Sequence, residues 1–261
     1  MMTERVTTRL FVEDDLRPGA AVGLDHARAH FLRSVLRLER CAALALFNGR
    51  DGEWLARIEG LGKGWASLLV ERQTRAQQPE PDLWLLFAPI KRARIDFLAE
   101  KATELGVARL LPVLTKRTVV TSVNRERLAA NAREAAEQCE RLTVPEVAEP
   151  QELFAALAGW PPGRRLLLCA EAGEARPIAE VLAEARSSGS TGGPESPESR
   201  WAIITGPEGG LEKTELDALC ELPSVTPVGL GPRVLRADTA ALAALACWQA
   251  MLGDGGERPR R

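Results

Sequence analysis

"LWLLFAPIKRARIDFLAEKATELG", Leu83 to Gly106, carries two hydrophobic periods in succession. "LWLLFAPI" is an unbroken apolar run, the pattern of a strand buried on both faces. In "KRARIDFLAEKATELG" the residues Ile95, Leu98, Ala102 and Leu105 recur at helical spacing. Gly106 then stands where a helix end takes a left-handed residue. A doubly buried strand followed by an amphipathic helix is the repeating unit of a parallel α/β sheet. The unit recurs downstream as strand "ARLLPVLT", helix "NRERLAANAREAAEQCERL", strand "RRLLLCA", helix "RPIAEVLAEAR", strand "WAIITG", helix "LEKTELDALCEL", strand "VTPVGL" and a final alanine-rich helix. The expected fold class over 83–261 is therefore α/β, a parallel sheet with helices on both faces.

Upstream the pattern differs. "TTRLFV", "CAALALFNG", "GEWLARIEGL" and "WASLLVER" are short strand-like runs, and Asn48-Gly49 and Asp51-Gly52 are turn signals. One helical piece, "DHARAHFLRSVLRL", interrupts them and places Phe31, Val35 and Leu38 on one apolar face. A small β-barrel is expected for residues 1–75. Residues 76–82 read as a polar, proline-bearing linker, and Ser187 to Ser199 as a low-complexity surface loop.

Composition narrows the function. The 261 residues are 45% hydrophobic and 27% charged, with a net charge of −2. No apolar run approaches the roughly 20 residues that span a bilayer. The polar N-terminus "MMTERVTTRLFVEDD" does not read as a signal peptide, so a cytoplasmic protein without a membrane partner is expected. The five cysteines (Cys41, Cys139, Cys169, Cys220, Cys247) are scattered and read as buried free thiols. With His26 and His30 the only histidines, no metal site is expected. Between Leu86 and Pro145 there are eleven Lys/Arg against seven Asp/Glu, a local basic surface able to steer an anionic partner.

Ligands of open parallel sheets bind beyond the carboxyl ends of the strands. Two such ends are glycine-rich: "IITGPEGGLEK" at Ile203 to Lys213 and "VGLGPRVLRADTA" at Val228 to Ala240. Glycines there let backbone approach a ligand closely. No G-x-x-x-x-G-K-[ST], no early G-x-G-x-x-G and no G-x-S-x-G occurs, which argues against P-loop, dinucleotide and hydrolase chemistry. With no histidine in this region, charge chemistry rests on Arg, Lys, Glu and Asp.

"TGPEGGL", "LGPRVLRADTA", "EKATELGV", "HFLRSVLRL" with "RLFV", and "REAAEQCER" together resemble the RsmE-type 16S rRNA uridine-N3 methyltransferases of the SPOUT superfamily, in order along nearly the whole chain. The resemblance implies a small PUA-like β-barrel that binds RNA, followed by a SPOUT-type parallel sheet with a C-terminal trefoil knot. It implies S-adenosyl-L-methionine as cofactor, a homodimer, and a uridine in the decoding region of 16S rRNA in the 30S subunit as substrate. Other SPOUT activities (ribose 2′-O or tRNA-base methylation) and a non-catalytic RNA-binding protein stand as alternatives.

By the same resemblance the cofactor lies against Thr205, Gly206, Glu208, Gly209, Gly210, Leu230, Gly231, Val234 and Leu235. Arg236 is the first catalytic or substrate-orienting cation and Arg233 the second. Asp238 is the candidate general base with Glu208 its competitor, and Asp238 is equally placed to cap a helix starting near Thr239. The family more often carries Glu where Asp238 stands, and a serine cap where Glu212 stands. RNA contacts are expected from Arg9, from Arg33 and Arg37 on one helix face, and from Lys91, Arg92 and Arg94 beyond a strand end.

Overall fold

A computed structural model describes residues 6–120, 122–170, 175–188 and 200–257. The chain gathers into two compact units. One runs to Gln78 and takes in Ala136–Val144; the other comprises Pro79–Ala135 and the chain from Pro145 onward.

The first unit holds β1 (Arg9–Phe11), β2 (Ala21–Leu24), α1 (His26–His30), β3 (Ala43–Phe47), β4 (Glu53–Gly62) and β5 (Trp65–Arg75). They form one sheet in the order β1-β3-β4-β5-β2. All pairs are antiparallel except β1 on β3. The Asn48–Gly52 stretch joins β3 to β4 because its side chains replace missing backbone partners. Asn48 Oδ1 accepts the amides of Arg50 and Asp51 at 3.0 and 2.8 Å. Asp51 accepts the Leu16 amide at 2.9 Å, and that bond, followed by one from Asn48, holds its carboxyl below the usual range.

The apolar face expected after Asp25 is different. Residues Phe31–Val35 form a π-helical turn in which the Leu36 amide reaches Phe31 O at 3.0 Å. One extra residue in a turn rotates everything beyond it. Phe31 and Val35 are 38% and 59% exposed, while Ala29 and Leu32 are buried. Arg37 lies past the helix with a φ of 54°, so Arg33 and Arg37 do not share a helix face.

The second unit contains β6 (Leu83–Phe87), α2 (Arg92–Glu104), β7 (Arg109–Leu114), α3 (Arg125–Gln138, its last turn counted with the first unit), β8 (Glu146–Val147), β9 (Gln151–Glu152), α4 (Leu153–Ala158), β10 (Arg165–Cys169), β11 (Arg176–Pro177), α5 (Ile178–Ser187), β12 (Trp201–Thr205), α6 (Lys213–Cys220), β13 (Val225–Gly229) and α7 (Ala237–Met251). The sheet order is β11-β13-β10-β12-β6-β7-β8, with β9 also on β7. Every pair is parallel.

Strand alternation divides the core. Leu83, Leu85, Phe87, Leu167 and Ile203 face a cluster closed by residues of α2, α5 and α7. Leu86, Leu166, Leu168, Ala202 and Ile204 face a second, covered by α4 and α6. Both faces of each strand are therefore apolar, as the continuous runs require. Gly106 ends α2 with a φ of 78°, its amide on Thr103 O and the Val107 amide on Ala102 O, both at 3.0 Å. Ser187 closes α5, and 189–199 of the expected low-complexity loop lie outside the described residues. Among the described residues no helix is long and apolar enough to cross a membrane.

Candidate active site

β13, β10 and β12 lie side by side, and their carboxyl ends meet the start of α7. An open, shallow cleft sits there. β10 contributes Cys169 and Ala170, β12 contributes Thr205 and Gly206, and the segment after β13 contributes Leu230, Gly231, Arg233, Val234 and Leu235. Ala237 and Ala240 close it from α7. Gly231 adopts a φ of 99°, open to glycine at no steric cost. Gly206 keeps the opposite wall thin, since a Cβ there would press on Leu211 Cγ at 3.3 Å.

Six of the nine expected cofactor residues line this cleft; Glu208, Gly209 and Gly210 do not. They form the turn beyond it, where the Gly210 amide reaches Pro207 O and Arg117 Nη1 reaches Gly209 O, both at 2.9 Å. Cys169, Ala170, Ala237 and Ala240 were not foreseen, because no glycine or charge marks the end of β10.

The charges at the mouth of α7 sort into two kinds. Arg233 and Arg236 are exposed, and neither forms an ion pair among the described residues. Arg236 occupies the N-cap position in extended conformation, and its carbonyl accepts the Ala240 amide at 2.8 Å. Asp238 is thus not the N-cap, because α7 starts two residues before Thr239. It lies in the first turn, where a carboxylate meets the positive end of the helix dipole. Its Oδ1 accepts the Thr239 amide at 3.0 Å, and Arg94 Nη1 bridges Oδ1 and Oδ2 at 3.3 and 3.4 Å. Asp238 is only 14% exposed, so this pair ties the first turn of α2 to that of α7. Arg94, expected among the RNA contacts, is instead the partner of Asp238, 144 positions away.

Glu212 stands at the N-cap of α6, where its amide donates to Glu215 Oε2 at 3.0 Å. Its own carboxylate meets Lys116 Nζ at 2.9 Å, and that bond holds it below the usual range. A glutamate serves at this end because Glu215 and Lys116 complete the cap.

The expected RNA contacts separate in the same way. Arg9 is a correction. Its side chain is 9% exposed, with Nε on Glu53 Oε2 at 2.8 Å. Nη1 donates to the carbonyls of Ala136 and Glu137, Nη2 to that of Arg141 at 2.8 Å, and the guanidinium lies 4.5 Å from the Phe47 ring centre. A guanidinium spent on this set fixes the α3 end against the first unit's sheet and has no face left for RNA. Arg33, Arg37 and Lys91 are exposed, and Arg92 opens α2.

The cysteines also depart from expectation, since Cys41, Cys139 and Cys220 are exposed. Cys169 shows partly in the cleft, but burial of its thiol, with Cys247 nearby, pushes its pKa up to about 12. A raised thiol pKa favours the folded state below the ordinary value and loses that contribution as pH climbs toward 12. At pH 8, iodoacetamide should label Cys41 and Cys139 in minutes and Cys169 at least tenfold more slowly, read by peptide mass spectrometry.

Residues 77–249 match the model of the RNA methyltransferase domain family. The chain is 33% identical to the ribosomal RNA small subunit methyltransferase E of Rickettsia conorii, over 91% of this chain and 93% of that one. It is 32% identical to the protein of the same name from Synechocystis, over 94% and 78%. Among solved structures, the ribosomal RNA small subunit methyltransferase E of Neisseria gonorrhoeae, bound to S-adenosyl methionine, superposes with a TM-score of 0.81 at 27% identity, covering 95% of this chain and 98% of that one.

Proposed function

This chain belongs to the family of ribosomal RNA small subunit methyltransferases E, and from that premise we propose that it methylates N3 of a uridine in the decoding region of 16S rRNA within the 30S subunit. The observation that carries the proposal is the cleft at three adjacent strand ends with two arginines at its mouth that form no ion pair among the described residues. S-adenosyl-L-methionine, when bound, supplies an electrophilic sulfonium methyl. The residues fit it: Leu230, Val234 and Leu235 offer apolar walls to an adenine, while Gly206 and Gly231 keep backbone within reach of polar groups.

Uridine N3 is a poor nucleophile until its proton leaves, and that loss spreads negative charge onto O2 and O4. In the proposal, Arg236 binds those oxygens through its planar fork, favouring the imide anion and orienting N3 toward the methyl. Arg233, on the cleft wall, supports the same charge or the target phosphate. Both oxygens of Asp238 are engaged by Arg94, so we assign Asp238 to anchoring α7 in preference to taking the proton. Glu208, exposed on the turn beyond the cleft, is then the carboxylate left to accept the N3 proton.

The proposal extends to a PUA-like RNA-binding barrel for the first unit, a trefoil knot around the cofactor, a homodimer, and cytoplasmic work on the subunit. Incubation with labelled S-adenosylmethionine and 30S subunits lacking the modification tests the chemistry. Label should reside on uridine N3 by nucleoside mass spectrometry. Label on a ribose oxygen or on tRNA would assign another methyl-transfer reaction, and no transfer from cofactor-bound protein would sink the proposal. Gly231→Val, which forces a branched residue into a φ of 99°, should weaken cofactor affinity about tenfold by calorimetry and lower the melting temperature by a few degrees.

A further inference from the structure

Trp65 opens β5 and stays 54% exposed, although it is the largest side chain at the tip of its hairpin. Its indole is not loose. Gly62 pairs with Trp65 across the ladder, and Gly60 pairs with Ser67. A Cβ on Gly60 would fall 2.8 Å from the indole Cζ3, and one on Gly62 would fall 2.8 Å from Cδ1. The ring therefore spans both glycines, and any larger residue at either would lift it off. The turn beside it is Lys63-Gly64, with Lys63 exposed and Gly64 at a φ of 88°. His26, also exposed, lies under that turn, 2.7 Å from where a Gly64 Cβ would be.

We propose that Trp65 is a stacking platform for an unpaired nucleobase of the substrate RNA, with Lys63 meeting the adjacent phosphate; this rests on the reading of the chain as an rRNA methyltransferase. An indole set on two glycines and left half in water gains little for folding. A flat, immobilised π-face beside a cation is what a splayed-out base needs, since stacking tolerates any base and the ammonium holds the backbone. On the same hairpin Arg57 and Glu71 pair at 2.8 Å and the exposed Glu59 carboxylate accepts Ser67 Oγ at 3.5 Å, which leaves Lys63 as the cation of the turn.

Titration of 30S subunits over a range of salt, followed by ultraviolet cross-linking, tests this. Trp65→Ala should weaken binding about tenfold and Trp65→Phe no more than about threefold, both with the wild-type salt slope. Lys63→Ala should lower that slope by about one. Melting and cofactor affinity should stay at wild-type values, and the wild-type Trp65 peptide should carry a nucleotide adduct. Wild-type affinity in Trp65→Ala would overturn the platform, and so would a Trp65 cross-link to a ribosomal protein. A wild-type chain that fails to bind 30S would count against the rRNA reading and take the platform with it.

Discussion

Arg236→Ala should lower methyl transfer by about 10²–10³-fold while leaving cofactor affinity and melting close to wild type. The side chain is exposed and makes no cap bond, so folding does not depend on it. Its position at the last residue before α7 puts it beside the cleft that Leu235 and Ala237 line. Cations at such a place act when charge develops, which makes the loss one of kcat at saturating 30S and cofactor. Arg236→Lys should recover only part of the rate, because an ammonium replaces a two-pronged donor by a point charge. Steady-state transfer assays with parallel calorimetry decide it, and near wild-type turnover in Arg236→Ala would remove the assignment. Asp238→Asn gives the complementary check. An anchoring role predicts a lower rate with the shape of the pH profile retained, whereas a general base would lose the acidic limb.

Arg9→Met should destabilise the first unit by about 3 kcal/mol, the scale of removing one partner from a buried ion pair. Glu53, at 12% exposure, would keep Thr74 Oγ1 at 3.0 Å and the longer Arg75 contact at 3.4 Å but lose its shortest cationic contact. The carbonyls of Ala136, Glu137 and Arg141 would lose their donor at the same time. Urea denaturation followed by hydrogen exchange in β1 and β3 measures the loss, and Arg9→Met with Glu53→Gln should regain part of it. If Arg9 instead met RNA, the single variant would melt normally and bind 30S more weakly.

The contrast between these two arginines explains what the sequence can and cannot tell. The strand–helix alternation from Leu83 onward was readable because doubly buried strands leave uninterrupted apolar runs, and each of the five runs proposed there is a strand. The two glycine-rich strand ends were readable because few other residues suit a ligand-facing turn. β2 was missed because "AVGL" is brief and carries a glycine, and α4 because six residues hold too little periodicity. The π turn at Phe31 has no compositional mark, and Phe31 and Val35 within it face water. The role of Arg9 depends on carbonyls 127 to 132 positions away, and that of Asp238 on an arginine 144 positions away. Residue type and the family resemblance nominated both as functional; long-range geometry makes one a rivet and gives the other a partner.

The place of β12 between β6 and β10 bears on how the chain is made. During synthesis β6 and β10 emerge before the strand that separates them, and β13, the other neighbour of β10, arrives later still. Until Trp201–Thr205 is released, each has an unpaired edge of backbone donors and acceptors, in segments too apolar to be left in water. A nascent chain stopped short of residue 201 would thus be a sticky intermediate, and the interval before Trp201–Thr205 emerges is the one in which chaperone protection matters most.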